Sequence, residues 1–469
     1  MSSPPFAGRG SSAPGANLVR RAVCVALASL CALLLSVDAS AAPKRLSLPE
    51  VIARVRANPA ARAADADVEI ARARAAEARG ARWPRIQATT FLAPSPEINC
   101  DNADCTRTSP VDFAPRLQGV FGGLRVEAYQ PLYTFGKLDS AAGAGDSALA
   151  MQRELAERTK GDLSLEATRA YFGLALAREL AVMLEDGAKQ LAKGKATLLE
   201  RIERGDTDVT VQDRLRIEAF ETEVQLRLSE ARERETTALE GLRALCADRD
   251  VDIADTTLEP TEHELGSADG HVRAAEAGSP ELRAAKHGVD AIDQRAELER
   301  ARWWPDLLVM GGATITRAQG VDDPPSAFAN DPFNATRAEI ALVLRWSIEP
   351  AMQAARVDGA RAERTRAREL SNTARVAVQF AVRDAFNKAQ QAGARLATSR
   401  QGEKSARGWV ASVVQADAVG AASARDMADA YLAYFTLHSR VLQSAYEWNV
   451  ALAALARATG ELSPPSKGP

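Results

Sequence analysis

The residues of this sequence that are best placed to do chemistry are acidic side chains beside short glycine-containing breaks. Asp426 and Asp429 stand six and nine positions after Gly420 in "VGAASARDMADA", and Asp213 follows a similar break, "ERGDTDVTVQD". Side chains three positions apart on a helix lie on roughly one face, so Asp426 and Asp429 could act together on a cation. The alternative is that all three are solvated charges, which are favourable near a helix N-terminus.

The sequence contains no recognisable catalytic motif. Among His263, His271, His287 and His438, the only close pair lies in "EHELGSADGH", which fits a solvent-exposed linker better than a metal site. Gly-rich phosphate loops and nucleophile motifs are not found either. We therefore expect no enzyme activity, no cofactor and no metal.

Composition favours long helices over aromatic-centred cores. Only 5% of the 469 residues are aromatic, whereas alanine, arginine, glutamate and leucine are abundant. The formal net charge of −3 gives no large single-sign field, so nucleic-acid binding has no support.

The N-terminus predicts export. Arg20 and Arg21 precede the apolar run "AVCVALASLCALLLSV", which has the length of a signal-peptide core and is short for a membrane span. The small-residue pattern at 39–41 places the signal peptide at residues 1–41, with an uncleaved N-terminal anchor as the alternative. In an oxidising compartment, Cys100 and Cys105 in "EINCDNADCTRT" favour a small disulfide loop, and Cys246 favours buried packing.

The sequence contains an internal duplication. Aligning Pro59–Pro84 with Pro280–Pro305 without gaps gives ten identities in 26 positions, including the Trp-Pro pair at the end. We predict a first repeat over 42–246, a linker over 247–279 around the middle of the molecule, a second repeat over 280–462 and a flexible tail over 463–469.

Each repeat follows one order of elements. A helix stops at Trp-Pro, because proline and its restricted predecessor end helices. A strand, a polar loop (94–116 or 319–337) and a second strand with one apolar face follow. Proline-free runs over 137–204 and 351–418 then predict helices of about 100 Å, each returning through a helix of about 35 residues.

Four strands with one apolar face are too few to close a barrel. In a membrane, an open sheet would leave edge backbone groups unsatisfied, at a cost of several kcal/mol each. Three chains of four strands would close an even-numbered barrel of twelve strands. Trp83, Trp303 and Trp304 would then lie in the aromatic girdle at the inner interface, unless they belong to a soluble core.

The order of these motifs resembles the TolC family of trimeric outer-membrane efflux ducts. The family's opening helix is similar to "LSLPEVIARVRANPAARAADADVEIARARAAEARGARWPRIQ", its strand-to-helix turn to "QPLYTFGK", and its closing helix to "AYEWNVALAALARATG". The second turn, "WSIEPAMQAAR", lacks the usual glycine and is expected to be built differently.

The resemblance implies an α+β membrane protein in which long helical hairpins form a periplasmic tunnel below a shared outer-membrane barrel. The implied function is that of an outer-membrane duct, a homotrimer embedded in outer-membrane lipid. It would passively export solutes or polypeptides delivered by an inner-membrane pump and a periplasmic adaptor. The alternative is a soluble periplasmic coiled-coil adaptor or scaffold, which normally carries one hairpin per chain rather than two.

The resemblance also assigns residues at the hairpin tips. It implies that Asp426 and Asp429, with Asp213 as their counterpart, ring the closed pore as a gate, while the inserted "DTDV" leaves Asp206 and Asp208 unassigned. Arg204, Gly205, Val419 and Gly420 would contact the adaptor. Arg204 and Asp417 stand where the family has apolar and aromatic residues, so this chain's tips would differ in detail.

Overall fold

The computed structural model describes residues 44–100, 111–205, 209–255, 257–319, 321, 333–419 and 421–461. The predicted signal peptide, Cys105, Asp206, Asp208, Gly420 and the C-terminal tail lie outside these residues. The helices are α1 (Leu48–Val55), α2 (Pro59–Gly80), α3 (Lys137–Glu203), α4 (Val211–Cys246), α5 (Ala268–Gly278), α6 (Pro280–Ala301), α7 (Pro350–Ala418) and α8 (Ala424–Thr459). The strands are β1 (Lys44–Leu46), β2 (Arg85–Cys100), β3 (Val111–Tyr133), β4 (Val251–Ile253), β5 (Asp306–Ala318) and β6 (Thr336–Arg345).

Two long helical hairpins dominate the molecule. α3 has 67 residues and α7 has 69, so each reaches about 100 Å at the α-helical rise. α4 and α8, with 36 residues each, run back along them. The prediction of long antiparallel hairpins joined to a small sheet is therefore confirmed.

The shorter helices α2 and α6 repeat each other in length and in boundaries. Each has 22 residues, begins at the proline aligned in the sequence and ends before Trp-Pro. α2 packs on α3, while α6 packs between α3 and α7. The second strand-to-helix turn is indeed different: α7 starts directly at Pro350, whereas α3 follows Gly136 at φ +87°.

The membrane-type strands form one antiparallel sheet in the order β2-β3-β5-β6. The predicted loop over 94–116 is wrong at both ends, because the outer part of the sheet extends into it. β2 continues to Cys100, whose partner is Val111, with register shifts around Pro96. These bulges or irregularities lie beside proline, which cannot donate a ladder hydrogen bond. The disulfide prediction stays open, because Cys105 is outside the described residues.

The predicted linker over 247–279, called here the joint, contains regular structure among its described residues. Its strand β4 pairs in parallel with β1, and α5 packs on α7 and α8. Trp448 Nε1 donates to the carbonyl oxygen of Thr261 at 2.8 Å, which fixes the joint to α8. The core here joins both hairpins; its buried side chains include Val51, Val55, Tyr171, Leu174, Leu242, Cys246, Val251, Ile253, Leu396, Trp448 and Leu452.

The joint also corrects the placement of one histidine. His271 Nε2 is buried without a hydrogen-bond partner among the described residues, and the ring packs against Phe386 at 5.8 Å between centroids. The "EHELGSADGH" stretch is therefore not wholly solvent-exposed.

An ion-paired cluster, called here the Arg457 clamp, ties three helices together above the joint. Arg457 on α8 donates to Glu281 of α6 at 2.6 Å and to Asp162 of α3 at 2.7 Å. Its stem packs over Gly161, where a Cβ would lie 3.0 Å from Arg457 Cδ. The clamp therefore connects the first long helix to the start of α6 and the end of α8.

No helix within the described parts of the chain is both long and apolar enough to cross a membrane.

Candidate pore gate and adaptor-contact tips

The two hairpin tips are built by matching helix caps. At the second tip, the Ser423 hydroxyl donates to Asp426 Oδ2 at 2.6 Å, while the Asp426 amide donates to Ser423 Oγ at 3.2 Å. At the first tip, Thr210 and Asp213 make the same reciprocal pair, with a hydroxyl-to-carboxylate distance of 2.6 Å. Such capping boxes satisfy amide groups that the first helical turn leaves free.

The caps give the predicted gate residues a structural role. Asp213 and Asp426 both occupy the third position of their helices. Hydrogen bonds from the Ser423 hydroxyl, and next from its amide, lower the pKa of Asp426 below its ordinary value. Thr210 lowers the pKa of Asp213 in the same way. Both carboxylates are therefore ionised at neutral pH.

Asp429 lies one turn further along α8. Its Oδ2 is 3.7 Å from Arg425 Nε, in an exposed pair that is worth little in stability. Asp426 and Asp429 thus point from one side of the helix start, with Arg425 beside them. Both the gate interpretation and the helix-end alternative are compatible with this placement.

The adaptor-contact residues lie at the extreme ends of the hairpins. Arg204 and Gly205 follow α3, and Gly205 takes φ +79°, a conformation that favours glycine. Val419 follows α7 with 78% of its surface exposed. Gly420 lies outside the described residues.

A groove beside the tips was not predicted from the sequence. α3 packs along α8 over part of its length, but α4 barely touches α8, and the hairpins leave a groove of about 980 Å³. Its walls are mainly apolar, with Leu184 and Leu191 from α3, Phe220 and Val224 from α4, and Tyr431, Leu432 and Phe435 from α8. The aromatic spacing at 431 and 435 is the one sequence signal that could have indicated it.

The tryptophans of the Trp-Pro pairs lie where helix becomes strand. Trp83 is 74% exposed, and Trp304 stacks on Phe135 at 5.7 Å between centroids. Trp346, which the sequence did not single out for this seam, donates from Nε1 to the carbonyl oxygen of Trp303 at 3.1 Å. The described part of the chain therefore carries four tryptophans at this level.

The family comparison agrees with this architecture. Residues 272–461 match the family model described as outer membrane efflux protein, and no curated protein matches the chain by sequence. The predicted resemblance to the TolC family is confirmed. Residues 272–461 therefore carry an outer membrane efflux protein domain, and the fold of the described chain is that of the TolC-like channels it resembles.

Solved structures share the fold over nearly the whole chain. The outer membrane protein VceC of Vibrio cholerae superposes with a TM-score of 0.69 at 18% identity, covering 88% of this chain and 96% of that chain. For the open-state MtrE outer membrane channel of Neisseria gonorrhoeae, these values are 0.71, 16%, 89% and 90%. For the CmeC outer membrane channel of Campylobacter jejuni they are 0.69, 14%, 88% and 85%. The soluble-adaptor alternative is not favoured.

Proposed function

We propose that the chain assembles as a homotrimeric duct that passively carries solutes or polypeptides across the outer membrane. The carrying observation is the four-stranded sheet of the described chain, in which β2 and β6 are the edge strands and can pair with those of neighbouring copies. Three sheets would close twelve strands and satisfy the edges in lipid. In this proposal, residues 42–246 and 280–462 are the two repeats, and 247–279 is the joint.

Native mass spectrometry of the protein extracted from the outer membrane in detergent tests the trimer. The expected mass is close to three chains, after removal of the proposed signal peptide. A monomer that stays soluble without detergent would refute the shared barrel.

The gate is proposed to be a ring of Asp426 and Asp429 copies, with Asp213 in the corresponding position of the other hairpin. Carboxylate rings bind or select cations in pores. Because Asp426 also caps its helix, a loss of activity on mutation could come from the cap alone. Two substitutions separate the roles: Asp426→Asn removes the charge, and Ser423→Ala removes the cap hydroxyl but keeps the carboxylate.

Block of the conductance by a trivalent cation added at the periplasmic side gives the readout. We expect Asp426→Asn to weaken the block and the addition of Asp429→Asn to weaken it further. Ser423→Ala should leave the block close to that of the wild type. Equal effects of Ser423→Ala and Asp426→Asn would assign Asp426 to helix capping only.

Adaptor contact is proposed at Arg204, Gly205, Val419 and Gly420, supported by the exposure of Val419 and by the adjoining apolar groove. An inner-membrane pump would supply the cargo, so this subunit needs no catalytic chemistry. Val419→Asp would place a charge on the exposed tip and is expected to abolish adaptor co-purification. Val182→Asp, at an exposed apolar position on α3 away from the tip, is the matched control.

A further inference from the structure

The two faces of the four-stranded sheet differ sharply in polarity. One face carries Ile86, Leu124, Ile315, Ile340 and Leu342, and Ile340 is 81% exposed. Since side chains alternate along a strand, their neighbours lie on the opposite face. In the proposed trimer the apolar face contacts lipid and the opposite face lines the lumen.

The strand register arranges the lumen-facing charges in rows. Gln87, Glu127, Gly312 and Glu339 are consecutive partners across the sheet, which places two carboxylates in one row, called here the acidic row. The Glu339 side chain lies over Gly312, where a Cβ would be 3.2 Å from Glu339 Oε1. Glycine at this position therefore leaves space for the carboxylate on the lumen side.

A second row lies two residues further toward the outside. Thr89, Arg125, Thr314 and Arg337 are partners there and form the basic row, about 7 Å from the acidic row at the usual strand rise. Arg85 and Arg345 lie on the same face nearer the periplasm.

Arginine outnumbers carboxylate on this face. Among strand residues with described side chains, the lumen face holds Arg85, Arg125, Arg337 and Arg345 against Glu127 and Glu339, while Asp306 is bonded to Lys137 at 2.8 Å. Arg317 lies on the opposite side at the outer rim, bonded to Thr336. Among the described strand side chains, each copy therefore presents more arginines than glutamates to the lumen, and three copies repeat them around one axis.

We infer that the barrel lumen is an anion-favouring filter whose strength is set by Arg125 and opposed by Glu127. This inference rests on the trimeric channel proposed above. Charged rings in a low-dielectric wall concentrate counter-ions and exclude like charges. The two ends of the duct would then differ: the acidic tip favours cations, and the barrel favours anionic groups. Cargo with a negatively charged group would pass the barrel more readily than cargo that is only cationic.

The test is the reversal potential of the purified full-length protein in a planar bilayer under a KCl gradient. Arg125→Gln is expected to lower the chloride-to-potassium permeability ratio, and Glu127→Gln to raise it. The matched control Arg125→Lys keeps the charge and should keep the wild-type ratio. The change is roughly twofold at 0.1 M salt and larger at 0.01 M, because screening weakens as the Debye length grows.

The test depends on whether Arg125→Gln and Glu127→Gln shift the permeability ratio in opposite directions. Arg345→Gln provides a second charge deletion in case the Arg125 variant does not assemble, and it should also lower the ratio. The filter would be overturned, and the duct left intact, by trimeric channels in which the arginine and glutamate variants leave the permeability ratio unchanged. A shift of the ratio in the same direction by Arg125→Gln and Glu127→Gln would have the same meaning. A wild-type protein that forms no channel would overturn both proposals.

Discussion

Packing between α7 and α8 gives the sharpest quantitative prediction. A Cβ added at Gly393 would lie 2.9 Å from Cζ3 of Trp448. Trp448 is buried, and its Nε1 is bonded to Thr261, so the ring cannot shift without breaking that bond. Gly393→Ala therefore gains about 1 kcal/mol of helix propensity. It loses about 1–3 kcal/mol through overpacking.

Two other glycines of the same helix isolate the packing cost. Gly359 and Gly408 have no described atom within 4 Å of an added Cβ, so their alanine variants should gain the propensity alone. Gly393→Ala should therefore be about 1–3 kcal/mol less stable per chain than Gly359→Ala, which is the overpacking cost by itself. The assay is the denaturant midpoint of unfolding, followed by circular dichroism for all variants in the same detergent. A Gly393→Ala protein as stable as Gly359→Ala would show that the Trp448 contact imposes no constraint.

Two further predictions concern the clamp and the tryptophans. Burial raises the pKa of Glu281, but bonds from Arg457 and Ser279 outweigh it and lower the pKa overall. Its stabilising contribution should be complete above the ordinary carboxyl pKa of 4.5 and be lost as pH falls further. In pH-dependent unfolding, Arg457→Gln should cost roughly 1–3 kcal/mol through the lost charged hydrogen bonds, and it should remove this acid-side loss. Arg72→Gln, in an exposed pair, should change stability little. The tryptophan girdle can be tested with single-tryptophan variants in brominated lipid. The fluorescence of Trp304 should be quenched, whereas that of the buried Trp448 should persist. Quenching of Trp448 alone would refute the girdle.

The sequence by itself determined the elements and their order. Prolines at 59, 280 and 350 begin helices, and Trp-Pro ends two of them, because these are local backbone constraints that act without tertiary context. Period-two alternation gave the inner strands and their apolar face. The helix caps at the tips were not predicted, although a Ser or Thr followed three positions later by an acidic residue is a local signal for a cap.

Only the tertiary structure decided which distant residues meet. Pairing between β3, β5 and β6 brings Glu127 and Glu339 together across Gly312, and no local pattern encodes a register between strands so far apart in sequence. The extension of β2 beyond Pro94 was missed for the same reason, since pairing with β3 overrides its turn-like composition. Burial of Arg457 between Asp162 and Glu281, and the groove between the hairpins, likewise depend on how whole helices pack.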